Sequence, residues 1–439
     1  MRLSTKSAAK IAQDTHPQLD TAHGTLNSEV MFETAARLRA AAMRPENFRD
    51  ANAAALAKAF DCWRDREFPK RRETVAQIAS AWDYTAALLD ESLDALLEPF
   101  RTSALRSFGA KVPSRRDVIG FIMPGNVPGA GLHEFSTALI AGSGLIVKTS
   151  SAEPLFFGAF ARTIAEVAPQ VGARIAVFNW SRGQTGLTQA FRTACDWIVA
   201  FGNDATLAGL TAGEIPSNKP NRPNTQLVGF GSRVSGALVM NEALRDSTEV
   251  LNALARDITL FEQRGCLSPH HIFVEGSGAR AFAAELATAL DCVAGKIPPP
   301  HRCGLEDAAA VRRVRENARW RALGGQDVAL WEGARLGWTV VYDSSAHFRV
   351  SPGWRTVYVS AVADLNDFIR RMEPASGRLE ACAIAGPASR VDQLTPALER
   401  LGVSYICAPG AMQSPPLEWH HGGGAFLLKL LDRKLLDRR

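Results

Sequence analysis

Beyond Pro113 the sequence alternates short apolar runs with longer stretches of helical spacing, and this alternation limits the fold more than any other feature. Strands that alternate with helices imply crossover connections and a largely parallel sheet covered on both faces. The predicted strands cover residues 118–123, 145–148, 174–180, 197–201, 236–240, 271–275, 338–342, 357–362, 381–385 and 405–408. The sequence therefore predicts an α/β fold with two doubly wound domains.

Breaks in this pattern indicate where the domains begin and end. The stretch before residue 110 is Ala-rich with helical spacing, and a loop rich in Pro and Asn at 217–225 separates two alternating series. The second series contains a long predicted helix at 243–261. The predicted division is a helical N-terminal region at 1–110 packed on the cofactor domain, a Rossmann-like cofactor-binding domain at 111–232, a catalytic α/β domain at 233–410 and a C-terminal tail at 411–439 that could form an oligomerisation strand.

Composition argues against several function classes. The net charge of +5 is too small for 439 residues to indicate nucleic-acid binding. No apolar run approaches the roughly 18 residues of a membrane span, and the first residues lack the apolar segment of a signal peptide. Seven scattered cysteines without a C-x-x-C pair favour neither a disulfide framework nor a zinc site. These features predict a cytoplasmic protein without a transmembrane segment or a bound metal.

One cysteine, Cys266, stands out by its position. It follows the long helical stretch and precedes Pro269 and a predicted strand. The thiolate is the reactive form of cysteine, and positive charge or helix-terminal N–H groups nearby favour it; Arg264 is two residues away. Alternatively, a cysteine is often a small buried hydrophobic residue. The residue by itself does not decide between these two interpretations.

Asn126 lies in Met-Pro-Gly-Asn-Val-Pro-Gly, directly after the first predicted strand. Two prolines and two glycines make a turn of fixed shape there. Ligands bind open α/β sheets at the carboxyl ends of their strands, so the Asn126 amide could donate a hydrogen bond to an oxyanion. It could equally do no more than satisfy the backbone of the turn.

Two further strand ends carry polar residues. Lys148, Ser150 and Ser151 lie between a predicted strand and a helix, where they could bind a phosphate or ribose, or only cap the helix. Gly202 and Asn203 form a similar strand–glycine–helix turn that could receive a pyrophosphate, although such turns are common.

Taken together, these segments resemble the aldehyde dehydrogenase superfamily, and within it the long-chain acyl-CoA reductase family of bacterial fatty-acid reductase systems of the luminescence type. The resemblance runs from about residue 115 to the C-terminus. It is carried by Met-Pro-Gly-Asn-Val-Pro-Gly at 123–129, Val-Lys-Thr-Ser-Ser-Ala-Glu-Pro at 147–154, Gln-Arg-Gly-Cys-Leu-Ser-Pro at 263–269 and Pro-Pro-Leu-Glu-Trp-His-His-Gly-Gly at 415–423.

The resemblance implies a role for each matching residue. Cys266 matches the nucleophile that forms a thioacyl-enzyme, and Asn126 matches the side chain that stabilises the oxyanion together with the Cys266 N–H. Lys148 matches the lysine that contacts the adenosine-side ribose of the cofactor. Gly202 and Asn203 occupy the pyrophosphate-side turn, where the family pattern of Gly-Ser is not kept.

The resemblance also implies which cofactor is used. Pro124, Ser150 and Ser151 complete the expected cofactor-binding set. NAD-preferring relatives often carry a Glu three residues after the lysine, where this chain has Ser151. A carboxylate would repel a 2′-phosphate, whereas a serine can donate a hydrogen bond to it. The expected cofactor is therefore NADPH.

An absent acid indicates the reaction. Hydrolytic aldehyde dehydrogenases carry a Glu some thirty residues before the cysteine, and it activates the water that cleaves the acyl-enzyme. The matching stretch here, Gln-Leu-Val-Gly-Phe-Gly-Ser at 226–232, contains no acid. Without such a base, attack by water should be slow. The resemblance thus implies an acyl-CoA reductase that releases an aldehyde.

Several alternatives stay open at this stage. The acyl group could come from CoA or from a partner protein, and it could be fatty, small or an acyl phosphate. A non-catalytic, acyl-transferring subunit of a multienzyme complex is a further alternative, and a homo-oligomer is implied only by the superfamily. The histidines considered for proton transfer or substrate contact are His133, His270, His420 and His421.

Overall fold

The computed structural model of the protein describes residues 26–42, 48–211 and 225–423, which form two compact units. The five-stranded unit takes its described residues from 2–74, 97–232 and 416–439. The seven-stranded unit takes them from 75–96 and 233–415.

The sheet of the five-stranded unit is parallel throughout. Its strands are β1 Val118–Ile122, β2 Gly144–Lys148, β3 Ile175–Phe178, β4 Trp197–Phe201 and β5 Gln226–Phe230. Their order is β3-β2-β1-β4-β5. The chain runs outward in both directions from the centre, so the strand order reverses between β1 and β4. Ligands of open α/β sheets bind at this kind of switch point.

Helices cover both faces of that sheet, which is why its strands are almost continuously apolar. The helices up to residue 211 are α1 Ser28–Ala42, α2 Phe48–Arg64, α3 Pro69–Trp82, α4 Ala86–Leu97, α5 Thr102–Lys111, α6 Leu132–Ala141, α7 Phe156–Val167, α8 Pro169–Gly172, α9 Thr185–Ala194 and α10 Asp204–Thr211. On one face α1 and α9 share a core with β1 and β2. Elsewhere in the unit α2 packs against α6 and α7, where the indole N–H of Trp63 donates to Thr163 Oγ1 at 3.0 Å.

The seven-stranded unit contains a mixed sheet of order β12-β11-β6-β7-β10-β9-β8. Its strands are β6 Val234–Val239, β7 Pro269–Glu275, β8 Val328–Glu332, β9 Thr339–Asp343, β10 Thr356–Val362, β11 Leu379–Ala385 and β12 Tyr405–Cys407. Only the edge strand β8 is antiparallel to its neighbour. Its α-helices after residue 232 are α11 Thr248–Thr259, α12 Ala279–Lys296, α13 Leu305–Leu323, α14 Leu365–Met372 and α15 Ala388–Arg400.

These sheets confirm the predicted α/β fold. Each predicted strand corresponds to one of β1–β4, β6, β7 and β9–β12, with ends shifted by at most two residues. The strand prediction did not include β5, a partly exposed strand that directly follows the loop predicted at 217–225, or β8, a half-exposed edge strand whose residues lack a buried run.

The long helix predicted at 243–261 is wrong in its extent. A short 3₁₀ turn, Asn241–Leu244, precedes α11, and α11 ends at Thr259. The chain then turns through Phe261, Glu262 and Gln263, all with left-handed φ angles of 53°, 53° and 58°. A helical pattern of apolar residues cannot reveal this turn, because tertiary contacts hold it in place.

The helices before residue 110 are divided between the two units rather than grouped together. Residues 75–96 belong to the seven-stranded unit, where Ser92 Oγ accepts a hydrogen bond from the Phe261 N–H at 2.9 Å. In the predicted tail, the described residues 411–423 contain turns and three helical residues, 421–423, but no strand. Residues 424–439 lie outside the described residues, so the predicted oligomerisation strand stays a prediction.

Candidate active site

At the carboxyl ends of the strands in the five-stranded sheet, β1 and β2 bring two of the predicted segments into contact. The Met123 N–H donates to the Lys148 carbonyl at 2.9 Å, which holds the turn after β1 beside the end of β2. Gly125 has no room for a side chain, because a Cβ atom there would lie 2.2 Å from Ser150 Oγ. The glycine is therefore required by the close approach of the two segments.

The predicted residues on these segments differ in exposure. Asn126 and Ser151 are exposed, whereas Pro124 and Ser150 are half-buried. Ser150 Oγ accepts a hydrogen bond from the Ala152 N–H at 3.2 Å, so Ser150 stabilises its own loop. Of the two serines, Ser151 is the more accessible to a ligand.

Lys148 lies half-buried at the end of β2. Its Nζ is 5.0 Å from the ring centroid of Trp180 and 3.4 Å from the Thr149 carbonyl. Burial, and then the positive charge of Arg182, hold the pKa of Lys148 below its ordinary value. Neither cation forms an ion pair with a carboxylate in the described part of the chain. Two neighbouring cations without a carboxylate suit an anion.

Arg182 was not predicted from the sequence. It follows the end of β3, is exposed, and donates to Thr206 Oγ1 at 3.2 Å. The position after a parallel strand could have suggested it, but its proximity to Lys148 depends on the strand order. Arg182 is thus an additional candidate for cofactor binding.

The turn after β4 has a mainly structural arrangement. The Gly202 N–H donates to the Phe230 carbonyl at 3.1 Å. Asn203 Oδ1 accepts both the N–H and the hydroxyl of Thr206, each at 2.8 Å, and so caps the start of α10. Asn203 is exposed, but its oxygen is engaged by the helix.

No acidic residue lies on β5, where hydrolytic relatives were expected to carry one. Phe230, at its carboxyl end, instead stacks on the His421 ring with centroids 4.3 Å apart. His421 Nδ1 is 3.0 Å from Glu134 Oε1, and Trp419 stacks on the same imidazole at 4.5 Å. Aromatic rings therefore pack together at the carboxyl end of β5.

Glu134 is a buried acid that sequence reasoning missed, since nothing in its local pattern distinguishes it from an ordinary helical residue. Burial disfavours its charge, but His421 and then His133 hold its pKa below the ordinary value. Of the four histidines considered above, His421 forms an ion pair with a carboxylate, that of Glu134. His133 is buried, and its ring centroid lies 4.8 Å from that of Phe100 and 5.4 Å from that of Trp419.

Cys266 lies in the seven-stranded unit, after the left-handed turn at 261–263. It is half-buried. Its carbonyl accepts a hydrogen bond from Ser235 Oγ at 2.6 Å, and the same hydroxyl oxygen accepts the Ala381 N–H at 2.9 Å. These bonds tie the backbone of Cys266 to β6 and β11.

Gln263 fixes the other side of this turn. Its amide nitrogen donates to the carbonyls of Pro269 and Thr356 at 2.6 and 2.8 Å, and its amide oxygen accepts the Thr356 N–H at 2.8 Å. Both N–H groups and the oxygen of this buried side-chain amide are therefore used to join the turn to β7 and β10. The backbone before Cys266 is thereby held in one conformation.

Arg264, two residues before Cys266, carries a positive charge whose position is fixed by its neighbours. Its guanidinium carbon is 5.0 Å from the Trp354 ring centroid and 5.9 Å from that of Tyr84. A nitrogen of the same group is 3.4 Å from Asp307 Oδ2. The direction of Arg264, which the sequence left open, is thus toward α13.

His270, the histidine nearest to Cys266 in sequence, is poorly suited to donate a proton. The residue is buried. Its Nδ1 lies 2.9 Å from Ser351 Oγ and accepts a hydrogen bond from the Ser351 N–H at 3.1 Å. Burial lowers its pKa to about 4, so the ring is neutral at physiological pH. Its contacts indicate a structural role.

Two further features of the described ranges bear on function. No three His, Cys, Asp or Glu side chains there are grouped as ligands of a metal ion. Each described helix is too short or too polar to cross a lipid bilayer.

Two sheets of this topology, one with a strand-order switch point and the other with a constrained cysteine turn, define an α/β fold of the aldehyde dehydrogenase type. The benzaldehyde dehydrogenase of Corynebacterium glutamicum, described as NAD-dependent, matches 92% of this chain and 88% of its own, with a TM-score of 0.66 and 14% identity. The succinic semialdehyde dehydrogenase of Streptococcus pyogenes, solved with NADP+, has a TM-score of 0.65 and 13% identity, and the match covers 88% of each chain.

The chain belongs to the family described as Acyl-CoA reductase (LuxC), whose model matches residues 51–433. The long-chain acyl-protein thioester reductase of Aliivibrio fischeri is 25% identical over 251 residues, which are 56% of this chain and 49% of that protein. Long-chain acyl-protein thioester reductase 2 of Photobacterium leiognathi is 24% identical over 253 residues, which are 56% of this chain and 49% of that protein. The chain thus spans about half the length of these curated relatives. Membership confirms the predicted family and its general class of oxidoreductase.

Proposed function

We propose that this protein reduces an acyl thioester to the aldehyde, with NADPH as reductant and Cys266 as the nucleophile. Family membership and the relatives named as long-chain acyl-protein thioester reductases support the reaction class. The observation that carries the choice of reduction over hydrolysis is the acid-free strand β5. The buried acid Glu134 is already paired with His421, whose ring stacks on Phe230 at the end of this strand.

In the proposed reaction, the Cys266 thiolate attacks the thioester carbonyl. The amide of Asn126 and the backbone N–H of Cys266 donate hydrogen bonds to the oxyanion, a contribution of roughly 3 kcal/mol for one such donor. The carrier thiolate then leaves, and the acyl group stays on Cys266 as a thioester. The bonds from Ser235 and Gln263 support this proposal, because a fixed backbone keeps the sulfur and its N–H in one orientation.

Bound NADPH supplies the hydride that reduces the acyl carbon. The residues proposed to hold it are Lys148, Ser151 and Arg182, at the carboxyl ends of β2 and β3. Lys148 and Arg182 lie close enough for the charge of Arg182 to lower the pKa of Lys148. A 2′-phosphate fits between such cations, because its oxygens would relieve the repulsion between the two positive charges. The thiolate of Cys266 is the leaving group when the aldehyde forms, so the enzyme is regenerated without a water molecule.

The donor of the acyl group is proposed to be fatty acyl-CoA or a fatty acyl-protein thioester. A small-acyl reductase on the same fold and a non-catalytic acyl-transferring subunit are the alternatives, and assays across acyl chain lengths separate them. An acyl-delivering partner protein, a homo-oligomeric state and a cytoplasmic location are further proposals of the same kind.

Replacing Cys266 tests the proposal. Cys266→Ser should lower aldehyde formation from acyl-CoA and NADPH by at least about 10³-fold, because a serine hydroxyl without a base is a poor nucleophile. The matched control is Cys303→Ser, which changes another half-buried cysteine of the same unit. Burial, and then Asp307, raise the pKa of Cys303 to about 11, so its loss should leave the rate within about twofold. Near-normal activity of Cys266→Ser would refute the proposed nucleophile.

A further inference from the structure

A cleft of about 340 Å³ opens on the seven-stranded unit, between α13 and the segment that leads into β10. This volume is in the range of small-molecule sites. Its polar lining consists of Arg313, Asn317, Arg321, Arg349, Ser351 and Tyr358. None of the roles proposed above uses this cleft.

The cleft has an excess of positive charge. Arg321 and Arg349 both form ion pairs with one carboxylate, that of the buried Asp343. Arg313 is exposed and has no ion pair within the described residues. Three guanidinium groups are thus balanced by one carboxylate at this place, and an anionic ligand would complete the balance.

Uncharged donors face the same space. Tyr358 is 8% exposed, and its hydroxyl has no hydrogen-bond partner among the residues that the structure describes. Its ring lies under Arg349, 5.7 Å from the guanidinium carbon, and Asn317 lies on α13 one turn beyond Arg313. Guanidinium forks together with hydroxyl and amide donors match the several acceptor oxygens of a phosphate ester better than a single carboxylate.

Two contacts connect the cleft to the turn that bears Cys266. Ser351, in its lining, is hydrogen-bonded to His270, four residues after the nucleophile. At the other side, α13 begins beside that turn, since Asp307 in its first turn pairs with Arg264. The basic face of α13 therefore extends away from the segment that holds Cys266, along Arg313, Asn317 and Arg321.

We propose that this cleft binds the phosphate groups of the thiol carrier that delivers the acyl thioester. The inference rests on the proposed function, because the ligand is part of its substrate. Phosphate esters occur both in CoA, at its nucleotide end, and in a carrier protein, at its phosphopantetheine arm. The cleft recognises the chemistry they share.

Binding can be measured without any turnover. Isothermal titration calorimetry with adenosine 3′,5′-bisphosphate, in the presence of saturating NADPH, compares the full chain with Arg313→Glu. The matched control is Arg312→Glu, which makes the same charge change at the preceding exposed position, outside the lining. We expect binding to be weakened at least about tenfold by Arg313→Glu, because an arginine–phosphate contact is lost, and to be kept by Arg312→Glu. Equal affinities in the two variants, or loss of binding when NADPH is added, would overturn the proposal.

Kinetics then distinguish the source of the phosphate. Two ratios are measured. The first is the KM for acyl-CoA divided by the KM for the acyl thioester of pantetheine, which lacks phosphate. The second is the KM for an acyl-phosphopantetheine carrier protein divided by the same reference KM. A rise of about tenfold in the first ratio with Arg313→Glu identifies CoA, and a rise only in the second identifies the carrier protein. Unchanged ratios for both donors contradict the inference. If the unaltered protein reduces no thioester at all, the proposed function fails, and the calorimetry still decides whether the cleft binds phosphate.

Discussion

Lys148 and Arg182 show how a cofactor preference can follow from two side chains. Lys148 is drawn over the face of Trp180, and its charge is disfavoured by burial and by Arg182. Ser151 is exposed near the same strand end, at the position where a carboxylate was expected in NAD-preferring relatives. Two cations that form no ion pair with a carboxylate among the described residues would suit the additional phosphate of NADPH, the cofactor proposed above.

Arg182→Ala should therefore lower kcat/KM for NADPH by about tenfold or more while changing kcat/KM for NADH little, because only the 2′-phosphate would lose a partner. Steady-state assays of thioester reduction with each nucleotide provide the ratio. Arg106→Ala, an exposed arginine on α5, is the control and should leave the ratio unchanged. An equal loss with both nucleotides would show that Arg182 does not contact the 2′-phosphate.

At this scale, the sequence indicated residues that lie in contiguous motifs and missed those defined by distant neighbours. Asn126, Lys148 and Cys266 each lie in a short segment whose residue types are informative by themselves. Arg182 becomes a candidate only because β3 lies beside β2. Glu134 acquires its partner from residue 421, so no local pattern could have suggested the pair.

The element that matters most for the proposed nucleophile is the left-handed turn at 261–263. Buried Glu262 pairs with buried Arg355, whose Nε is 2.9 Å from Glu262 Oε1 and whose Nη1 donates to the Ile297 carbonyl at 2.9 Å. Non-glycine residues in this conformation are unfavourable unless the surroundings hold them. The ion pair and Gln263 supply those surroundings.

Arg355→Met should lower the free energy of unfolding of the seven-stranded unit by roughly 3–5 kcal/mol, because it leaves a buried carboxylate without its cation. Urea unfolding followed by circular dichroism measures this loss. The double variant Glu262→Gln/Arg355→Met should recover part of it. Arg319→Met, which removes the exposed pair with Glu332 at 2.6 Å, should cost less than about 1 kcal/mol. Similar losses for Arg355→Met and Arg319→Met would contradict this view of the turn.

Among the elements, the strands were predictable and the irregular turn was not. Buried parallel strands are continuous apolar runs, and β4 coincides with its prediction of 197–201. The end of α11 is different, because Leu260 and Phe261 are as apolar as the helix before them. Only the bonds of Phe261 to Ser92 and of Gln263 to β7 and β10 define where the helix stops.

For the molecule as a whole, the sequence predicted two α/β domains but not how the helices before residue 110 divide. Residues 75–96 join the unit of Cys266, and the described residues 416–423 join the unit of Lys148. The arginine cleft could not be predicted either, since it combines α13 with a segment about thirty residues later in the chain. In each case the decisive contacts join residues far apart in sequence.

The proposed division of labour assigns the cofactor to the five-stranded unit and the acyl group to Cys266 of the seven-stranded unit. An acyl-enzyme on that cysteine is the central claim, because both the choice of hydride over water and the use of a phosphate-bearing donor depend on it. Incubation with acyl-CoA in the absence of NADPH should allow this species to accumulate.

Peptide mass spectrometry after such an incubation tests the claim most directly. We expect one added acyl mass on the peptide that contains Cys266, its disappearance when NADPH is added, and no addition in Cys266→Ser. Acylation of Cys292 or Cys303 instead, or an acyl mass on Cys266 that NADPH leaves in place, would contradict it.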